Sequence, residues 1–252
     1  MNESVKKMRD FYSMKKGAPI FQEEFGFYSM DRWKQEEHIK EGDNLSALFG
    51  FDTASKLYLG QLGWCEAGFS PVFKEEILED RGEYELVRDW AGRHVLYFKG
   101  RRNGFMPEYV DHPVKDQLTW ERDVKWRLNP KIPERFSDLE KRMSEAKIQS
   151  ENGVMICQNL VGGYMYLRSL LGPEGALYMF YDNPDLIRDC MKTWFELADY
   201  VIAQHQKYVT LDELFLAEDI CYNNGPLISP DMMREFLFPY YQQLITNIKN
   251  RQ

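Results

Sequence analysis

The chain has no surplus of basic residues. Its 252 residues hold 32 lysines and arginines against 40 aspartates and glutamates, a formal net charge of −8. That balance disfavours non-specific binding to the phosphate backbone of DNA or RNA, and its plain consequence is solubility. Cysteine is scarce. Cys65, Cys157, Cys190 and Cys221 lie far apart and no two have CxxC spacing. The pattern excludes a small disulfide scaffold and reads as free thiols in a reducing compartment. No window approaches the ~18 apolar residues of a membrane span. The first ten residues contain no apolar stretch of the kind a secretory leader carries. No nucleic acid, no membrane and a cytoplasmic location are therefore expected. Walker loops, dinucleotide fingerprints, HExxH and GxSxG are all missing, as is any His/Cys cluster with zinc spacing. His94 and His112 stand alone and read as structural.

What is present is enough apolar sequence for a sizeable core: 44% hydrophobic and 15% aromatic residues. Residues 2–15 predict a short first helix, broken at Gly17-Ala-Pro19. Pro19 to Gln22 predicts a short buried strand, and Asp31 to Glu41 a helix. Residues 57–99 predict an antiparallel meander, because Asp80-Arg-Gly-Glu and Trp90-Ala-Gly-Arg separate three strand-like runs. Leu118, Trp120, Val124 and Leu128 are spaced for a partly buried helix. A charged helix from Pro133 to about Glu151 follows, then a strand at Val154–Cys157. Asn183-Pro184-Asp185 and Ser229-Pro230-Asp231 each join a capping residue, a proline at the first helical position and an acid against the dipole. From residue 133 onward the order is helix, strand, helix, strand, helix, which favours a parallel α/β sheet.

The strongest candidate for chemistry is the end of the last strand, where apolar Leu214–Ala217 delivers Glu218 and Asp219. Adjacent carboxylates at a strand terminus can act as acid, ligand or orienter, and an apolar strand should not end in two acids without a polar cavity. The bland alternative is a helix-capping or salt-bridged acid. Glu23 and Glu24 after the first expected strand give a weaker signal of the same kind. Asn159, with Gln158, suits hydrogen bonding to a polar ligand. Gly162 and Gly163 permit close backbone approach, next to Tyr164. Asn223-Asn224-Gly225 reads first as a turn, with Asn223 a further contact candidate.

Several segments then resemble one family in their order. They are Asp89-Trp-Ala-Gly92, Pro107 to Pro113 with Trp120 and Pro130 after it, Gly162-Gly163, and Glu218-Asp219 with Gly225 to Pro230, Phe236 and Phe238-Pro239. Over nearly the whole chain they resemble the uroporphyrinogen decarboxylase superfamily, nearer its cobalamin-dependent methyltransferases than the decarboxylase proper. The resemblance implies an α/β fold, a single (β/α)8 barrel domain over 1–252 with the 57–99 meander as an excursion. Residues near 19, 56–61, 154 and 214 would be its first four strands. The other four would lie beyond Gln252, so the chain would be a truncated barrel. The implied activity is methyl transfer from a cobalamin-carrying protein to an acceptor thiol or similar small molecule. Glu218 and Asp219 would be the catalytic acids, and Asn159, Glu23, Gly163, Tyr164 and Asn223 would contact substrate. Zinc is implied as well, with its ligands outside this chain. The decarboxylase's paired arginines are replaced by acids in Gln22 to Tyr28, and its tyrosine by Leu170, which disfavours decarboxylation. Two other readings stand beside this one. One is an inactive half-barrel that pairs with a complementary chain or a second copy. The other is a glycosidase-like site using Glu218 and Glu23.

Overall fold

The computed structural model describes residues 3–23, 30–53, 55–100 and 107–252. The chain opens with an amphipathic helix, α1 (Glu3–Tyr12), which buries Val5 and Met8. The strand expected over Pro19–Gln22 is absent. Ile20 stays 69% exposed, and the Gln22 backbone bonds to Asp52 instead of to a strand. Glu24 and the residues through Tyr28 lie outside the described residues. Two short helices, α2 (Met30–Gln35) and α3 (Leu45–Phe49), precede β1 (Lys56–Leu59).

An antiparallel sheet follows, in the order β2 (Glu76–Arg81), β3 (Tyr84–Arg88), β4 (His94–Phe98) and β5 (Glu108–Asp111). Its turns explain themselves. Gly82 takes φ +75° between β2 and β3, and the Asp80 carboxylate accepts its N–H at 2.9 Å. Between β3 and β4, buried Asp89 accepts from the Ala91 and Arg93 N–H groups and from the Arg93 guanidinium.

The helix expected across Leu118–Leu128 is broken into short turns: α4 (Gln117–Thr119), a π-helical turn at Trp120–Val124 and a 3-10 turn at Lys125–Leu128. Trp120, Val124 and Leu128 are fully buried while Leu118 is 64% exposed. Positions four apart share one face, so the three still bury together although the turns are irregular. Next come α5 (Leu139–Glu151), β6 (Met155–Val161), α6 (Gly163–Leu171), α7 (Pro173–Asp182) and α8 (Pro184–His205). Asn183 caps α8 by accepting from the Leu186 N–H at 3.3 Å. Strand β7 (Glu213–Ala217) leads to a small hairpin, β8 (Cys221–Tyr222) and β9 (Gly225–Pro226), then α9 (Pro230–Met232) and α10 (Phe238–Asn250).

Strands β1, β6 and β7 form a parallel sheet in that order, with Cys157 opposite both Tyr58 and Glu213 and Asn159 opposite Phe215. Alternation gives β6 two buried faces. Ile156 and Leu160 join the main core with α6, α8 and α10, whereas Met155 and Cys157 pack under Val5, Met8 and Phe21.

This arrangement corrects the barrel reading. The parallel sheet has three strands and is open, and the antiparallel sheet is separate, so no closed barrel and no half of one is formed among the described residues. The physical reasons are local. The segment assigned as the first barrel strand is not a strand, and α1 seals the sheet face that a barrel would turn toward its axis.

Candidate functional site

Parallel strands present their C-terminal ends on one rim, and there the chain places polar groups beside a cavity. Glu218 follows β7 directly. Its carboxylate accepts from the Tyr164 N–H and the Met165 N–H, each at 3.1 Å, and from the Tyr241 hydroxyl. The Tyr241 oxygen in turn accepts from the Gly163 N–H at 2.6 Å. The carboxylate thus satisfies orphan donors in the first turn of α6 and meets the positive end of its dipole. Burial and the neighbouring Glu218 push the Tyr241 phenol well above its ordinary pKa.

The glycine pair makes this contact sterically possible. A Cβ on Gly162 would come within 2.3 Å of the Glu218 Cγ and Cδ, and one on Gly163 within 2.6 Å of the Met191 methyl group. Gly162 therefore permits close approach of the chain to Glu218, and Gly163 to Met191 and Tyr241. Asp219 behaves differently. Its side chain is 63% exposed and pairs with Arg168 at 3.0 Å.

Between them lies a cavity of about 710 Å³ lined by Asn159, Glu218, Asp219, Cys65 and Met165, with aromatic walls. Trp64 and Phe215 stack nearly parallel, centroids 4.9 Å apart, and Tyr58 adds a third ring. The Asn159 side-chain oxygen is buried without a hydrogen-bond partner among the described residues. A buried acceptor left unpaired costs on the order of 1–3 kcal/mol, which a ligand donor would recover. The Cys65 thiol is pushed up in pKa by burial and by Glu66, so it stays protonated at neutral pH.

The expected site residues separate into groups. Asn159, Glu218 and Asp219 share this cavity. Gly163 and Tyr164 serve it from behind, through their backbone N–H groups. Glu23 is not brought there. It pairs with Lys56 at 2.9 Å, and Lys56 also holds Glu213 at 3.1 Å, so Glu23 sits at the opposite, N-terminal end of the sheet. That removes the second carboxylate a glycosidase-like site would need. Asn223 lies in the β8–β9 turn, outside the cavity lining. Among the described residues no group of three His, Cys, Asp or Glu side chains is placed to hold a metal.

Sequence reasoning missed Trp64, Phe215, Arg168 and Tyr241. Phe215 was legible in principle, since strand alternation puts it on the face of Ala217 and opposite Asn159. Tyr241 had no local signal, being 23 residues beyond its partner.

No protein-family model matches the chain, and no curated protein matches it. Among the described residues no helix is long and apolar enough to cross a membrane.

Proposed function

We propose that the strand-end cavity binds a small, partly apolar molecule carrying a hydrogen-bond donor. In this reading the chain is a uroporphyrinogen-decarboxylase-like protein of the corrinoid methyltransferase type, and the cavity takes the methyl acceptor. Asn159 carries the reading, because it lines the cavity and its side-chain oxygen has no hydrogen-bond partner among the described residues, so a small rotation of the amide would let it accept from a guest. Trp64 and Phe215 offer a flat apolar wall to the body of the guest, and the Asp219–Arg168 pair marks its polar rim. Glu218 is a positioning residue that fixes the start of α6, and no proton transfer is assigned to it. No step is derived through zinc, for which these residues offer no ligand set; the corrinoid would be carried by a separate protein. Two acids beside the cavity repel a polycarboxylate, which argues against uroporphyrinogen decarboxylation.

The test pairs binding with turnover. Calorimetry with 2-mercaptoethanol, a neutral thiol with a hydroxyl donor, should show saturable binding that Asn159→Leu abolishes. Methylcobalamin mixed with protein and thiol, with and without zinc in the buffer, should lose its methyl–cobalt absorbance as methylated thiol forms. Absence of both thiol binding and turnover would remove the reading.

A further inference from the structure

A second cavity, of about 540 Å³, opens between the antiparallel sheet and the segment from His112 to Arg127, and it shares no lining residue with the strand-end cavity. Its electrostatics run against the rest of the molecule. In a chain of net charge −8, this lining carries Lys74, Arg88, Lys115, Arg122 and Arg127 against only Asp111 and Asp123. Both acids are already engaged, Asp111 by Lys115 and Asp123 by Arg122. Arg88 is paired with Glu76 at 2.7 Å.

Two cations remain without a carboxylate. Lys74 has no side-chain partner among the described residues. Among the described residues Arg127 bonds only to backbone carbonyls, those of Pro71, Val72 and Asp123, at 3.0 to 3.1 Å. Its guanidinium is held over the rings of Phe73 and Trp126, 4.1 and 4.3 Å from their centroids. Burial pushes its pKa down, with Asp123 nearby opposing the shift and Arg88 adding to it. His112 completes the wall. Its ring lies where a Cβ on Gly172 would approach Nδ1 to 2.8 Å, and it has no hydrogen-bond partner among the described residues.

We propose that this cavity binds a small phosphate-bearing molecule with a planar or apolar portion. The oxyanion would be met by Arg127, Lys74 and the His112 N–H, and the planar portion would lie on Trp126, which is 46% exposed. Phosphate is favoured over carboxylate because these donors come from separate elements rather than one planar fork. A tetrahedral group with three free oxygens meets scattered donors better than a flat group with two.

The probes are phenyl phosphate and inorganic phosphate, titrated calorimetrically into the whole chain at low ionic strength. Both should bind saturably and compete, phenyl phosphate roughly tenfold tighter through the ring contact. Lys74→Glu, at an exposed side chain with no partner to lose, should weaken both by about tenfold or more. Trp126→Ala should remove only the advantage of the phenyl compound. Asn159→Leu should change neither, which keeps this site distinct from the strand-end cavity. Unsaturable binding would overturn the proposal. So would an effect of Lys74→Glu no larger than that of Lys147→Glu on remote helix α5, because net charge alone would then explain it.

Discussion

Glu218 and Asp219 carry the same sequence signal, two acids behind an apolar strand, and the structure gives them different work. Glu218 is locked by two backbone N–H groups and a tyrosine hydroxyl, whereas Asp219 stands in solvent beside one arginine. Their substitutions should therefore part. Glu218→Gln is expected to lower unfolding free energy by about 1–3 kcal/mol, the range for losing charge-assisted bonds at a helix N-terminus. Asp219→Asn should cost at most about 0.5 kcal/mol, as exposed ion pairs do. Urea denaturation of both variants decides this, and equal losses would mean that the helix-start network is not as described. The bland reading of an acid after β7, a helix cap, thus describes Glu218 well. What sequence could not supply was its target. The helix it caps begins 55 residues earlier in the chain at Gly163, and only the sheet register brings the two together.

At the scale of elements, legibility followed the length and regularity of the apolar pattern. The Asn183-Pro184-Asp185 start marked α8, and Val154–Cys157 announced β6, although the strand runs on through Gln158 and Asn159 to Val161. One short pattern misled. Pro19–Gln22 has strand-like composition, but its backbone partners belong to Asp52. Nothing in the first fifteen residues told which surface α1 covers. It buries Val5 and Met8 against Met155 and Cys157, forming a cluster separate from the main core. Met8, 0% exposed, should therefore matter more than a terminal residue normally does. Met8→Ala is expected to destabilise by about 2–5 kcal/mol, as core truncations do. A change below about 0.5 kcal/mol in urea titration would show that α1 does not seal the sheet.

For the whole molecule, the sequence reading reached the parallel sheet but overshot to a cylinder, because neighbouring parallel strands with helical crossovers look alike whether the sheet closes or stays open. One buried and one half-buried histidine shape the molecule's response to acid. His112 and His205 both have their pKa pushed down to about 4, chiefly by burial. In the unfolded chain a histidine titrates near ~6.5, so between those values the unfolded state binds protons that the folded state refuses. Stability should be full above about pH 6.5 and fall as pH drops toward 4, by up to about 1.4 kcal/mol per pH unit for each histidine. Urea midpoints at pH 7.5 and 5.0 test the sign. His205→Gln should flatten the slope, and equal midpoints in the parent protein would contradict the lowered pKa of these rings.

The two-sided packing of β6 also turns the cysteines into clocks. Cys157 lies under α1 and Cys190 on the opposite, helical side, both 0% exposed. A thiol reagent can reach Cys157 once the amino-terminal helix lifts, while Cys190 must wait for the central core to part. The ratio of their modification rates therefore reports how much more readily the molecule sheds its cover than it melts.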